Sequence, residues 1–249
     1  MDTLYYKVLS PNFRNRDLQY ILGWNTYTKD IDTPKSGMYF CEKKDLGYWL
    51  RLYHSPIICE VVLCPDSIVY TEYRARKTDR FLLQNPLPVR EFLKTMDCMQ
   101  IVKDDGLALE YMDQTPELCM AAVKQNGRAI QFVENKTFDL WIEALQQNGR
   151  ALEYMEGPTQ YFCLLAVKQN GLAVKFARIQ ENSVCMMAVH QNGLALKYIQ
   201  NPSPYVVKVA LEQNGLALQF VKDQTEEHVQ TAIHQNPLAK LYRHATVRV

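Results

Sequence analysis

Four cations within seven residues, Arg74, Arg76, Lys77 and Arg80, form the densest group of basic side chains in the sequence. Such a cluster could grip a phosphate or an acidic partner, but Glu72 and Asp79 interrupt it, which favours a solvated, charged loop leading into Phe81-Leu82-Leu83. His54, with Cys59 or Glu60 nearby, offers a nucleophile and a base only by adjacency in sequence. Cys59 and Cys64 lack the second pair of ligands that zinc spacing requires, so no metal is expected. His190, His228 and His234 stand where related segments carry Lys, Leu or Glu, and His244 lies in the tail. No dinucleotide fingerprint, phosphate loop, His-Glu-x-x-His or Gly-x-Ser-x-Gly occurs. No catalytic residue and no cofactor follow from these groups.

Charge and composition narrow the classes further. The 249 residues carry 28 basic and 27 acidic side chains, and no basic stripe of a general nucleic-acid binder. A hydrophobic content of 47% fits a folded chain. The opening Met-Asp-Thr-Leu-Tyr-Tyr-Lys is unlike a signal peptide, and no run of 18 apolar residues occurs, so neither secretion nor membrane spanning is expected. Seven scattered cysteines imply buried thiols in a reducing compartment.

The elements that would position these groups divide at about residue 92. Residues 1–92 read as a small strand-rich α/β head. Strands are expected at Leu4–Leu9, Leu18–Leu22, Met38–Cys41, Ile57–Leu63 and Ile68–Tyr70, with a loop over 31–37 and an amphipathic helix over Lys44–Tyr53. Residues 93–249 repeat one unit. Its glycine recurs as Gly106, Gly127, Gly149, Gly171, Gly193 and Gly215, with Pro237 in the seventh place, and a near-constant spacing of about 22 signals an α-solenoid of two-helix repeats. The fold class is therefore α+β, a strand-rich domain followed by seven such repeats.

Numbering each copy so that the glycine is position 13, position 15 is alanine throughout (Ala108 to Ala239) and position 18 is aromatic throughout (Tyr111 to Tyr242). Ser, Thr or Glu at position 1, with Pro116 and Pro204 next, marks a first helix that buries positions 4 or 5, 8 and 9. Gln-Asn-Gly then ends it, the glycine being expected in a left-handed conformation. A second short helix carries positions 15, 16, 18 and 19. Helices this short are marginal alone, so the copies must stack. The position-18 aromatic is expected to fill the space between copies, at roughly 1.5–3 kcal/mol each. The Gln-Asn-Gly strip reads as structural. Asp104-Asp105-Gly106 and Gln235-Asn236-Pro237 read as end-copy variants, and Lys240 at position 16 suits a copy that no further repeat covers. Position 10 varies most usefully: Lys103, Lys124, Gln146, Lys168, His190, Glu212 and His234 are the candidate protein-binding residues. Position 17 is mixed in the same way.

The sequence Ala188-Val189-His190-Gln191-Asn192-Gly193-Leu194-Ala195-Leu196-Lys197-Tyr198 resembles a repeat of unknown function found in giant DNA viruses and some protists. Ser36-Gly37-Met38-Tyr39-Phe40 and Ile58-Cys59-Glu60-Val61-Val62-Leu63-Cys64-Pro65-Asp66 resemble the head of giant-virus ankyrin-repeat proteins, of the mimivirus kind. The resemblance implies a helical repeat used for contacts and brings no reaction with it. The expected function is a non-enzymatic adaptor or scaffold for a viral or host protein in the host cytoplasm, without specific nucleic acid or membrane. One alternative is a minor virion component bridging capsid or core proteins. A second makes the head a nucleotide-using enzyme, with Arg14, Arg16, Tyr39, Glu60 and the 74–80 cluster as its residues.

Overall fold

Alternating and continuous apolar runs in the first 90 residues fold into antiparallel strands, as period-2 patterns require. The structure is a computed structural model that describes residues 4–15, 17–29, 36–52 and 56–244. Arg16, Tyr53, His54 and the 31–35 part of the expected loop lie outside these residues. The strands are β1 (Tyr5–Leu9), β2 (Arg14–Asn15), β3 (Leu18–Gln19), β4 (Gly23–Thr26), β5 (Met38–Glu42), β6 (Ile57–Leu63), β7 (Val69–Glu72), β8 (Ala75–Thr78) and β9 (Arg80–Pro88). Seven form one sheet in the order β4-β9-β6-β1-β5-β8-β7, and β2 pairs with β3 alone. The sheet is antiparallel in every pairing, with Tyr6 opposite Glu60 on one side and Cys41 on the other.

β1 is central and covered on both faces, which is why Tyr-Tyr-Lys-Val-Leu is almost wholly buried. Leu9, Met38, Phe40, Cys59, Val61, Phe81 and Leu83 make the core on one face, with Tyr20 folded over them. On the other face lie α1 (Leu46–Leu50) and α2 (Val89–Leu93), where Phe92 meets Tyr6 edge to face at 5.2 Å. Two expectations are corrected here. The segment read as a charged loop is strand β8, and Leu18–Leu22 forms only the two-residue β3, the longer strand β4 beginning after it at Gly23 (φ 101°).

The chain then turns helical: α3 (Cys98–Asp104), α4 (Pro116–Gln125), α5 (Phe138–Gln147), α6 (Gln160–Gln169), α7 (Asn182–Gln191), α8 (Pro204–Gln213) and α9 (Glu226–Gln235). Each is followed by a six-residue 3-10 helix, from Gly106–Tyr111 to Pro237–Tyr242, so the second element is 3-10 in type. α3 starts late, capped by Asp97, whereas Thr115, Thr137, Ser203 and Thr225 accept the position-4 amide of their helices as anticipated. Two compact units result: Met1–Gln125 with Phe132–Glu134, and Asn126–Gln131 with Asn135–Val249.

The reason for the glycines differs from the expected one. Among glycines of the described residues only Gly23, Gly37 and Gly157 have positive φ, so position 13 does not need a left-handed backbone. It needs room. A Cβ on Gly171 would lie 2.8 Å from Gln191 Oε1 and closer still to the Ala188 carbonyl of the next copy, well inside the roughly 3.5–4.0 Å of ordinary contact. Pro237 stands in that place at the start of the last 3-10 helix among the described residues. The Asn before each glycine is extended, with φ near −150°, and its side chain caps the 3-10 helix: Asn170 Oδ1 accepts from Leu172 at 3.1 Å and Asn192 Oδ1 from Leu194 at 3.0 Å.

The position-18 aromatics are also less buried than expected. Tyr111 is 8% exposed, but Phe132, Tyr154, Phe176, Tyr198 and Phe220 are half-buried and Tyr242 is exposed. The buried layer consists instead of positions 4, 5, 8, 9, 15 and 16, such as Val184, Cys185, Ala188, Val189, Ala195 and Leu196, joined by most residues at position 19, such as Ile199. Lys240, at position 16 of the last copy, is exposed.

Candidate interaction surface

Glutamine at position 11 carries much of the polar connection between copies. Its Oε1 accepts the glycine N–H of the preceding copy: Gly106 to Gln125 at 2.7 Å, Gly149 to Gln169 at 2.6 Å, Gly171 to Gln191 at 2.6 Å and Gly215 to Gln235 at 2.5 Å. Where the amide nitrogen is also engaged it donates to the position-11 carbonyl of that copy, as Gln169 does to Gln147 at 3.3 Å. The strip is thus structural, and each of its three residue types is consumed internally: Gln as clamp, Asn as cap, Gly as clearance.

A second clamp escaped the sequence reading. Gln180, just ahead of α7, donates to Tyr198 O at 2.8 Å and accepts from Gln200 N–H at 2.9 Å. Gln224 does the same with Tyr242 O and His244 N–H, both at 2.9 Å, and Gln114 with Phe132 O at 2.7 Å and Glu134 N–H at 3.0 Å. The signal was present in a glutamine two residues before three of the helix starts.

Position 10 faces outward, as does position 17 from Glu153 to Leu241. Lys103, Lys124, Gln146, Lys168, His190, Glu212 and His234 are all exposed, each the penultimate residue of its helix. On α5 to α8 this outward face also presents apolar groups. Phe138 (58% exposed) stacks on Tyr161 (52%) at 5.9 Å, and Tyr205 is 64% exposed.

The head candidates are not gathered into one place. Tyr39 lies on β5 against Trp49, with its hydroxyl 3.5 Å from Glu72, while Glu60 lies two strands away on β6 and accepts from Asn85 at 2.7 Å. Arg14 is exposed on the β2–β3 ribbon. The 74–80 cations are each engaged. Arg76 pairs with Glu42 and Lys77 with Glu72 at 3.2 Å, Arg80 approaches Asp66 at 3.5 Å, and Arg74 stands over the Tyr48 ring at 5.6 Å. Hydrogen bonds from Lys44 and then Arg76 hold the Glu42 carboxyl below its usual range. The first copy bonds to the head within the same unit: Asp105, 5% exposed, caps its 3-10 helix at Leu107 N–H and pairs with Arg51 at 2.9 Å, which accounts for Asp where later copies have Asn.

All seven cysteines are free thiols, and burial pushes Cys59 up to about 11 and Cys41 further. Among the described residues there is no cluster of three His, Cys, Asp or Glu that could hold a metal, and no helix is long and apolar enough to cross a membrane. A family model described as a domain of unknown function (DUF4116) matches residues 98–137 and 115–156. No curated protein and no solved structure matches the chain.

Proposed function

We propose that the helical region is an α-solenoid of seven repeats of about 22 residues, serving as a non-enzymatic scaffold for protein–protein contact. The observation that supports this is the division of labour within a copy. Gln, Asn and Gly are spent on joining copies, whereas position 10 stays exposed and varies among Lys, Gln, His and Glu. Solenoids offer such rows as extended binding faces. The partner is a viral or host protein, met in a reducing compartment such as the host cytoplasm, a setting that suits seven unpaired thiols. The fold provides the surface and no reaction is required of it.

The test uses the whole chain as bait in host extract, beside a variant in which Lys168, His190 and Glu212 are exchanged for Glu, Glu and Lys. A saturable partner held by the parent and lost by the variant supports the reading. A partner held equally by both displaces the contact from this row, and an absence of any saturable partner refutes the scaffold. Copurification with particles would assign the protein to the virion.

A further inference from the structure

The second glutamine clamp is missing where Pro158 and Pro202 stand, and Pro202, just ahead of Ser203, the cap of α8, is the one that lines a groove. In the frame of Gln180 and Gln224, a glutamine there would donate to Phe220 O and accept from Lys222 N–H. Among the described residues no protein group bonds either atom. At this same place a groove of about 740 Å³ opens between the loop 199–204 and the loop 220–223. Pro202, Pro204, Val207 and Phe220 give it an apolar wall, and Lys222 and Asp223 lie along it. His228 joins the lining from α9, at a position where Leu118, Leu140, Phe162, Val184 and Val206 are buried in earlier copies.

The groove therefore pairs one donor and one acceptor, spaced as a carboxamide needs, with apolar surface beside them. Three internal cases show what occupies that arrangement in this protein: a glutamine side chain on a connecting segment. We infer that the groove receives a glutamine of a partner protein, flanked by an apolar residue, with its carboxamide seated on Lys222 N–H and Phe220 C=O. A carboxylate would accept from Lys222 but could not donate to Phe220 O, so glutamate is discriminated against by an unmade bond and a desolvated charge. The inference rests on the protein-contact reading and names the chemistry of one contact.

The test needs no identified partner. The probe is the acetylated, amidated hexapeptide copied from the chain's own clamp, Ala177-Arg178-Ile179-Gln180-Glu181-Asn182, and the control carries Glu for its Gln. Both are titrated into ¹⁵N-labelled full-length protein while the backbone amide resonances are followed. The expected result is a saturable shift of the Lys222 amide with the glutamine peptide, at least tenfold weaker binding of the control, and loss of the shift in Pro202→Gln, where the chain supplies its own clamp. Gln180→Ala should open an equivalent site and make the Gln200 amide responsive. A Lys222 amide that stays still, responds equally to both peptides, or still responds in Pro202→Gln overturns the inference. None of these results bears on the position-10 exchange, so the scaffold reading is judged separately.

Discussion

Replacing Gly171 by alanine separates two accounts of the glycine ladder. Gly171 φ is not in the left-handed region, so backbone strain contributes nothing. The added methyl instead meets Ala188 O, Gln191 Oε1 at 2.8 Å and Asn192 Cβ at 3.2 Å. Two of these atoms belong to the backbone or to a capping residue, so relief requires the next copy to move. Overpacking of this kind costs about 1–3 kcal/mol. Displacing Gln191 also weakens its bond to Gly171 N–H, at 2.6 Å, for about 0.5–1.5 kcal/mol more. The reduced freedom of the unfolded chain returns about 0.4–1 kcal/mol. The net loss is about 2 kcal/mol, or about 4–8 °C in Tm for a chain of this length. Urea unfolding followed by circular dichroism measures it. Gly171→Asn is the discriminating partner: a left-handed site tolerates asparagine, whereas a crowded one suffers more from it than from alanine. A loss below about 0.5 kcal/mol for alanine, or a milder effect for asparagine, would refute the close-approach account.

Gln169→Ala leaves the buried Gly149 N–H without its acceptor and should cost about 1–3 kcal/mol, with faster exchange of that amide; Gln169→Glu keeps an acceptor and should cost less. Arg51→Ala strands the Asp105 carboxylate and should cost about 1–3 kcal/mol, less than a fully buried pair because Arg51 is 35% exposed. Asp105→Asn, which restores the cap found in later copies, should recover most of that loss in the Arg51→Ala background, as thermal melts would show. Cys59 ionises at about 11 in the folded protein and near 9.0 when free, so its contribution is intact below pH 9 and declines as pH rises towards 11. Cys59→Ala should flatten that alkaline fall in stability, measured as urea midpoints across the range.

The division into a strand-rich part and a helical part was legible in the sequence because it depends on local content and recurrence: aromatic and β-branched runs at Tyr5–Leu9 and Ile57–Leu63, and the 22-residue recurrence for the rest. Apolar positions 8, 9, 15 and 16 were legible for the same reason. β8 was not. Its Ala-Arg-Lys-Thr looks like a solvated loop until Glu42 and Glu72 from neighbouring strands are brought within ion-pair reach of Arg76 and Lys77. Cross-strand pairs are non-local, and no window of sequence contains them.

The same division holds for the candidate surface. Sequence alone determined that position 10 varies while its surroundings do not, since variation within seven copies is visible without coordinates. It could not say what the constant residues do. Glycine at position 13 and glutamine at position 11 act on a neighbouring copy, about 20 residues away, so only the tertiary structure reveals a clearance and a clamp where local rules suggest a turn. Pro202 shows the point most simply. It is an ordinary residue ahead of a helix in the sequence, and its meaning comes from Phe220 O and Lys222 N–H, which stacking of the copies leaves without the glutamine found at three equivalent places.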